Sequence, residues 1–247
     1  MKQTGLDFMK ATYGRHLSES PQDLGQTQPP LEMPLPPGSV LIPLPEARAL
    51  DLPGLDLREA IERRRSVRRY SEESLSQAEL SSLLWLTQGV KEISTRPVTL
   101  RTVPSAGARH AFETLLLINR VEGITPGLYR FAASQHALVC LDTAADVNQR
   151  ITRGCYDQKQ VLTSAVTFIW VAVAERMTWR YVERSYRYLH LDAGHVCQNL
   201  YLAAEPLSCG VCAIAAFDDE YLNQELGLDG ENLFVIYLAS LGKKSRA

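Results

Sequence analysis

The sequence predicts one folded body of the α/β or α+β class, in which strands and helices alternate irregularly. Its 247 residues are 45% hydrophobic and 22% charged, a composition typical of soluble globular proteins. Apolar residues recur at helical spacing in some segments and form short continuous runs, typical of buried strands, in others. The chain contains no internal repeat and no low-complexity tract, and its length suits one large domain or two small ones.

Residues 1–55 differ from the rest because most of the 13 prolines lie there. Proline fixes φ and lacks an amide donor, so we expect neither a helix nor an inner strand in this segment. It forms either a disordered leader or an extended arm on the body, and the apolar run SVLIPLP (39–45) favours the arm. We therefore divide the chain into a proline-rich arm, 1–55, and a folded domain, 56–247.

Three helices are predicted after the arm. Apolar residues at helical spacing begin at Leu57, and a second helix begins at Ser76, which Glu79 complements in a capping box. A long helix over 189–205 ends before Pro206. The second helix has one face directed at the core, formed by Leu80, Leu83, Leu84 and Thr87.

Short apolar runs predict the strands. Two of these runs are separated only by a short polar loop and form a predicted hairpin, and the run AVTFIWVAVA predicts a fully buried strand. The predicted strands lie at 112–119, 128–131, 137–141, within 161–174, and at 233–241.

Several protein classes and sites find no support in the sequence. It has no run of about 18 apolar residues that could span a membrane, and residues 1–16 lack the apolar core of a secretory signal. We therefore expect a cytoplasmic protein with no membrane contact. Neither GxGxxG nor GxxxxGK[ST] occurs, so Rossmann and P-loop sites are not indicated. An odd number of scattered cysteines predicts reduced thiols; they are Cys140, Cys155, Cys197, Cys209 and Cys212.

The charges are balanced overall but segregated along the chain. The 26 Lys and Arg against 28 Asp and Glu give a net charge of −2, which argues against nucleic acid and a polybasic membrane surface. Residues 188–242 contain no lysine or arginine. Arginines cluster at 63–69, where they form either a solvated helix end or an anion site to which Ser66 adds a hydroxyl donor. The basic residues of the C-terminal tail are Lys243, Lys244 and Arg246.

Three further patterns have an ordinary structural interpretation that we favour over a functional one. The pair Cys209 and Cys212 predicts buried or edge thiols rather than a redox centre or a zinc site with Cys197 and His195. Asp192, His195 and Asn199 share one helix face, which predicts a hydrogen-bonded core histidine rather than a metal site. Tyrosines and arginines alternate over 180–188, which predicts a solvated helix face rather than RNA stacking.

A set of motifs in order resembles one family. RRSVRRY (64–70) is similar to the RRSxRxY motif of the nitroreductase superfamily. The strings at 101–123, 126–131, 191–205 and 216–231, and the arm ending in IPLP, resemble its SagB-type dehydrogenase branch. The resemblance covers nearly the whole chain. It implies an α+β fold with a mixed central sheet flanked by helices, assembled as an intertwined homodimer with FMN in two pockets at the subunit interface.

The resemblance also implies which residues hold FMN. The positions that match phosphate and ribityl contacts are Arg64, Arg65, Ser66 and Arg68, together with Lys244 and Arg246 of the tail. The positions that match the flavin lining from the facing subunit are Pro104, Ser105, Ala106 and Gly107. Gln158 matches a polar position near the pyrimidine ring, and Ala215 and Ala216 match backbone positions near flavin N5.

The function implied is hydride transfer through flavin N5 to or from a small molecule or a modified peptide, with NAD(P)H as the donor for reduction. Azoline oxidation is one activity of this branch. Hydride transfer needs positioning and electrostatics rather than a nucleophile, so no catalytic residue is assigned. The alternative is a flavin- or peptide-binding module without turnover of its own.

Two departures from the family pattern affect the expected pocket. His110-Ala111 replaces Tyr-Pro, and Ala216 replaces a glycine. We expect His110 to place a titratable group near the substrate side, and the methyl group of Ala216 to narrow the space above the flavin.

Overall fold

A seven-stranded sheet with helices on both faces forms the centre of the computed structural model, which describes residues 3–51, 53–95 and 98–245. The sheet order is β1-β6-β5-β4-β7-β9-β8, and adjacent strands pair antiparallel. These strands are β1 (Leu41–Pro43), β4 (Phe112–Ile118), β5 (Gly127–Ala132), β6 (Ala137–Asp142), β7 (Val166–Val173), β8 (Cys209–Ile214) and β9 (Leu233–Lys243). A separate hairpin consists of β2 (Val90–Ile93) and β3 (Thr99–Arg101). The predicted α+β class is confirmed.

The helices divide between the two faces of the sheet. They are α1 (Thr4–Ala11), α2 (Leu57–Arg63), α3 (Gln77–Gln88), α4 (Val147–Gly154), α5 (Lys159–Leu162), α6 (Ala174–Tyr181), α7 (Ser185–Ala204) and α8 (Asp219–Glu225). Residues of α3 and α7 share one apolar cluster with one face of the sheet, and residues of α4, α5 and α8 share a second cluster with the other. No helix among the described residues has the length and apolar character needed to cross a membrane.

Strand β7 shows why the central strands are continuously apolar. Phe168 and Trp170 belong to the cluster of α3 and α7, whereas Ile169 and Val171 belong to the opposite cluster. Because successive side chains of a strand point to opposite faces, a strand covered on both sides buries every residue. All eight residues of β7 are buried. The prediction of a buried strand within 161–174 is therefore confirmed for 166–173, whereas residues 161–162 belong to α5.

Local sequence signals fix the other helices. The predicted capping box between Ser76 and Glu79 is present at the start of α3, and the predicted core-facing residues of that helix are buried. The predicted hairpin of β5 and β6 is confirmed. Helix α7 begins at Ser185, earlier than predicted, and ends at Ala204.

The proline-rich segment lies along the body. Strand β1 pairs with β6 and forms one edge of the sheet. The carbonyl of Pro45 accepts a hydrogen bond from Ser81 Oγ at 2.6 Å. The expectation that residues 1–55 contain no helix is wrong for α1. That helix precedes the first proline of the chain, Pro21, and none of its residues is buried, so neither proline nor core packing limits it.

Candidate functional site

The arginine-rich segment 64–70 runs alongside the edge strand β8. Ser66 forms a parallel bridge with Val211, whose carbonyl accepts the amide of Val67 at 2.9 Å. Tyr70 pairs with Lys244 at the end of the neighbouring strand. The segment therefore covers an edge whose backbone groups would otherwise be unpaired.

Two glycines allow this close approach. A Cβ atom at Gly210 would lie 2.5 Å from Val67 Cβ, and one at Gly242 would lie 2.7 Å from Tyr70 Cγ. Tyr70 is further held by its hydroxyl group, which donates to the carbonyl of Val67 or Ser240 at 2.9–3.0 Å. The segment consequently lies flat against β8 and β9 and directs its cationic side chains outward.

The arginines of this segment carry charge that no acid in the described part of the chain neutralises. Among the residues that the structure describes, Arg64, Arg65 and Arg68 make no ion pair. Arg65 and Ser66 are exposed, as is Arg68. Arginine presents a planar fork of donors that matches phosphate or carboxylate oxygens. Unneutralised, exposed guanidinium groups beside a hydroxyl donor fit an anion.

The C-terminal tail joins this cluster. A surface groove of about 490 Å³ is lined by Arg63, Arg65, Glu205, Ser208, Lys244 and Ser245. Lys244 Nζ donates to Glu205 Oε2 at 2.7 Å, so part of its charge is already paired. The structure thus brings together Arg65 and Lys244, which the sequence predicted for one phosphate site. Arg246, also predicted for that site, lies outside the described residues.

Tyr201 connects the arginine segment to the far end of β8, and the sequence gave no indication of this role. Its hydroxyl group lies 2.9 Å from Ser66 Oγ and accepts the amide of Ala213 at 2.9 Å. The guanidinium carbon of Arg64 stands 5.2 Å from the centre of its ring, a cation–π distance. Tyr201 therefore fixes Arg64 and Ser66 relative to the strand end.

The loop after β8 is where the structure places two more predicted positions. Ala215 and Ala216 are exposed at the end of the strand. Gln158 Nε2 donates to the carbonyl of Ala216 at 2.7 Å, and Gln160 Nε2 donates to Gln158 Oε1 at 2.7 Å. Gln158 and Ala216, the predicted partners of the flavin ring, thus lie together just beyond the end of β8.

The loop 104–110 lies elsewhere, against α7. Ser105 Oγ donates to the buried carboxylate of Asp192 at 2.6 Å, and the amide of Ala106 donates to the same carboxylate at 3.2–3.3 Å. Gly107 adopts φ 57°, and a Cβ atom there would lie 2.5 Å from the hydroxyl of Tyr181. The small residues of this loop are needed where it meets α6 and α7.

Within one chain, the loop and the arginine segment are separated along α7. The loop contacts the helix at Asp192, whereas Ser66 contacts it at Tyr201. Nine residues of α-helix span about 14 Å and two and a half turns, so the two side chains leave opposite sides of the helix. Among the described residues, no hydrogen bond or ion pair joins the two segments.

One histidine prediction is wrong, and the other stays a prediction. His110, expected near the substrate side, is 4% exposed, and burial, with the charges of Arg101 and Arg109 next, lowers its pKa to about 3. His195 is exposed, with its Nδ1 3.9 Å from Asp192 Oδ1, and is not a core histidine. His195 lies near the middle of α7 with its ring exposed to solvent, whereas Asp192, three residues earlier, is buried.

The thiols and the aromatic residues of 180–188 have structural roles. Cys209 and Cys212 are free and buried on β8, as predicted, and burial raises the pKa of the Cys209 thiol to about 12. Arg184 donates to Tyr188 at 2.9 Å and to the carbonyl of Thr12 at 2.8 Å. This face of α7 therefore contacts the N-terminal segment that follows α1 rather than being wholly solvated.

Known proteins share the fold and sequence of this chain. The model of the Nitroreductase family matches residues 61–243. MJ1384 of Methanocaldococcus jannaschii, described as a nitroreductase, is 31% identical over 200 residues, which are 81% of this chain and 96% of that protein. A crystal structure described as a nitroreductase of Anabaena variabilis is 28% identical, with a TM-score of 0.70, over 85% of this chain and 42% of that one.

A second curated relative is longer. The trifolitoxin-processing protein TfxB of Rhizobium leguminosarum bv. trifolii is 27% identical over 147 residues, which are 58% of this chain and 39% of TfxB. This chain therefore spans less than half the length of TfxB and of the Anabaena protein.

Proposed function

The chain belongs to the nitroreductase family, and we propose that it is an FMN-dependent oxidoreductase of the SagB-type branch. It acts as a homodimer and transfers hydride through flavin N5, with NAD(P)H as the donor when it reduces a substrate. The observation that carries this proposal is the row of unneutralised arginines beside β8, because a flavin mononucleotide phosphate needs such cations.

The residues along β8 fit FMN as an extended ligand with an anionic end. Arg65, Ser66 and Arg68 present exposed donors at one end of the row. Gln158 and Ala216 present an amide and backbone groups at the other. Ser66 lies beside Val211 within β8, and Ala216 follows the last residue of that strand, Ile214, by two positions. The arrangement supports a phosphate at the arginines and a polar ring system at the loop after β8.

The protein contributes binding and orientation to this chemistry. FMN, when bound, supplies the atom that accepts and releases hydride. The guanidinium groups of Arg65 and Arg68 hold the phosphate through charge-assisted hydrogen bonds. Tyr201 keeps Ser66 and the amide of Ala213 in fixed relation, so the phosphate end and the strand end are positioned together.

The separation of loop 104–110 from the arginine segment supports a site made from two subunits. Pro104–Gly107 would line the flavin of the facing subunit, while the arginines hold the phosphate of their own. Leu57 and Ile61 of α2 and Leu191 of α7 are large apolar side chains left more than half exposed, which suits burial by a second copy.

The substrate is proposed to be a small molecule or a modified peptide. The likeness to a trifolitoxin-processing protein supports the peptide, and with it the SagB-type branch. Azoline oxidation in such a peptide is the specific reaction that this branch suggests.

The purified protein tests the proposal directly. We expect it to bind FMN, to lose flavin absorbance anaerobically on addition of NADH or NADPH, and to recover it with an electron acceptor. Protein that takes up no FMN would overturn the assignment. Protein that binds FMN but is reduced by neither donor, and oxidises no azoline peptide, would support a binding module without turnover instead.

A single substitution tests the phosphate site. Arg68→Ala removes a charge-assisted contact worth about 1.5–3 kcal/mol, so the Kd for FMN should rise roughly 10- to 100-fold. The control is Arg58→Ala, because Arg58 is also exposed but pairs with Glu62 on α2. Titration of FMN fluorescence measures both. Equal FMN affinity in the two variants would contradict the assignment of Arg68.

A further inference from the structure

We propose that Asp192 is a positioning residue, whose buried carboxylate fixes loop 104–110 in the conformation that meets the flavin of the facing subunit. The contact between this loop and flavin rests on the proposed function, whereas the role of Asp192 in fixing the loop does not. Within the described residues, every hydrogen bond of the Asp192 side chain goes to the loop, and Asp192 is not itself assigned to FMN.

The carboxylate binds the loop at two adjacent residues. Ser105 Oγ donates to Oδ2 of Asp192 at 2.6 Å, and the amide of Ala106 reaches both oxygens at 3.2–3.3 Å. Ser105 Oγ in turn accepts the amide of His110 at 2.9 Å. One side chain of α7 thereby fixes both ends of the turn between Ser105 and His110.

The loop needs such an anchor because its backbone is strained. Gly107 has φ 57°, and the non-glycine residues Ala108 and His110 have φ 54° and 44°. Residues other than glycine rarely adopt this left-handed region, because the Cβ atom makes it sterically unfavourable. A strained backbone conformation persists only where surrounding contacts stabilise it. In this loop, the hydrogen bonds to the Asp192 carboxylate provide that stabilisation.

Stability alone is a poor reason for this carboxylate. Asp192 is 4% exposed, and burial raises its pKa, although the bonds from Ser105 and Ala106 partly oppose that effect. A group whose pKa is raised by folding weakens stability at any pH where it is ionised. The only ion-pair partner that the described structure gives Asp192 is the half-exposed imidazole of His195, 3.9 Å away, which is charged only when protonated. We therefore attribute the buried charge of Asp192 to its hydrogen bonds with Ser105 and Ala106 of the loop.

The test separates loop position from overall stability. In Asp192→Asn, the thermal midpoint should stay the same or rise, while hydrogen exchange of the amides at 106–110 should accelerate at least tenfold, with or without FMN. Asn199→Ala is the control on the same helix face, because Asn199 bonds the carbonyl of Leu86 and not the loop. It should leave exchange in the loop unchanged.

Flavin binding gives the second measurement. Asp192→Asn and Ser105→Ala should each raise the Kd for FMN about tenfold. The double variant should bind FMN no more weakly than either single variant, and Ser105→Thr, which keeps the hydroxyl group, should bind FMN as the parent does.

Unchanged hydrogen exchange in the loop of Asp192→Asn would overturn the positioning role even if FMN binds. Faster exchange with unchanged FMN affinity would overturn the link to the flavin, and a parent protein that binds no FMN would refute the proposed function but not the anchor.

Discussion

His110 shows how one residue can combine an unusual backbone with an unusual charge state. Its φ of 44° lies in the left-handed region, and its ring is 4% exposed. Burial is the main cause of its low pKa of about 3, and the neighbouring charges of Arg101, Arg109 and Lys91 lower it further. The histidine is therefore neutral at physiological pH and serves as a packed side chain beside the loop.

This neutrality predicts a pH-dependent stability. Between pH 6.5 and 3, His110 is protonated in the unfolded chain but stays neutral in the folded chain. The free energy of unfolding therefore falls as the pH falls. From pH 7 to pH 5 this one group should cost roughly 2 kcal/mol. His110→Asn keeps a residue that tolerates left-handed φ and should remove that loss, whereas the exposed His16→Asn should not. Urea unfolding at the two pH values measures it, and an unchanged pH dependence in His110→Asn would show that the ring is protonated in the folded state.

At the scale of elements, the sequence predicts those helices and strands whose formation depends on residues close together in the chain. The capping box of α3, the hairpin of β5 and β6 and the buried run of β7 each depend on residues close in sequence. Helix α1 departs from the prediction because the proline argument was applied to all of residues 1–55, although α1 precedes the first proline, Pro21.

The same distinction holds for the candidate site. Clustered arginines were visible as a charge pattern. The roles of Tyr201 and Asp192 were not, because their partners Ser66 and Ser105 lie 135 and 87 residues away along the chain. A helix face of the sequence shows which side chains point together, but not which distant loop they will meet.

The packing of segment 64–70 on β8 predicts the effect of one methyl group. In Gly210→Ala the new Cβ would stand 2.5 Å from Val67 Cβ, so the segment must move away. We expect a loss of about 1–3 kcal/mol in the free energy of unfolding and a weaker hold on FMN, because Ser66 and Arg68 move with it. Gly194→Ala is the control, since nothing lies within 4 Å of its Cβ position. If the two variants had the same free energy of unfolding and the same Kd for FMN, the position of the segment would not depend on the close approach of Val67 to Gly210.

At the scale of the whole molecule, a buried ion pair joins the proline-rich arm to the sheet. Arg176 Nη2 binds Glu113 Oε1 at 2.6 Å, with both side chains almost fully buried. Arg176 Nε donates to the carbonyl of Pro30 at 2.8 Å, and the amide of Met33 donates to Glu113 Oε1 at 2.9 Å. Proline carbonyls need donors that prolines cannot supply themselves, and the buried guanidinium group supplies one.

Breaking this pair should therefore loosen the arm and destabilise the domain together. Arg176→Met leaves Glu113 buried without a counter-charge, at a cost of about 3–5 kcal/mol. Adding Glu113→Gln removes that charge and should recover much of the global stability, but not the bond to Pro30. Both variants should be cleaved faster than the parent by thermolysin within residues 22–36. If thermolysin cleaved the double variant no faster than the parent, Arg176 would not be needed to hold the arm. Other contacts, such as the 3.1 Å hydrogen bond from Arg130 to the carbonyl of Pro34, would then hold it, and the ion pair would stabilise only the domain.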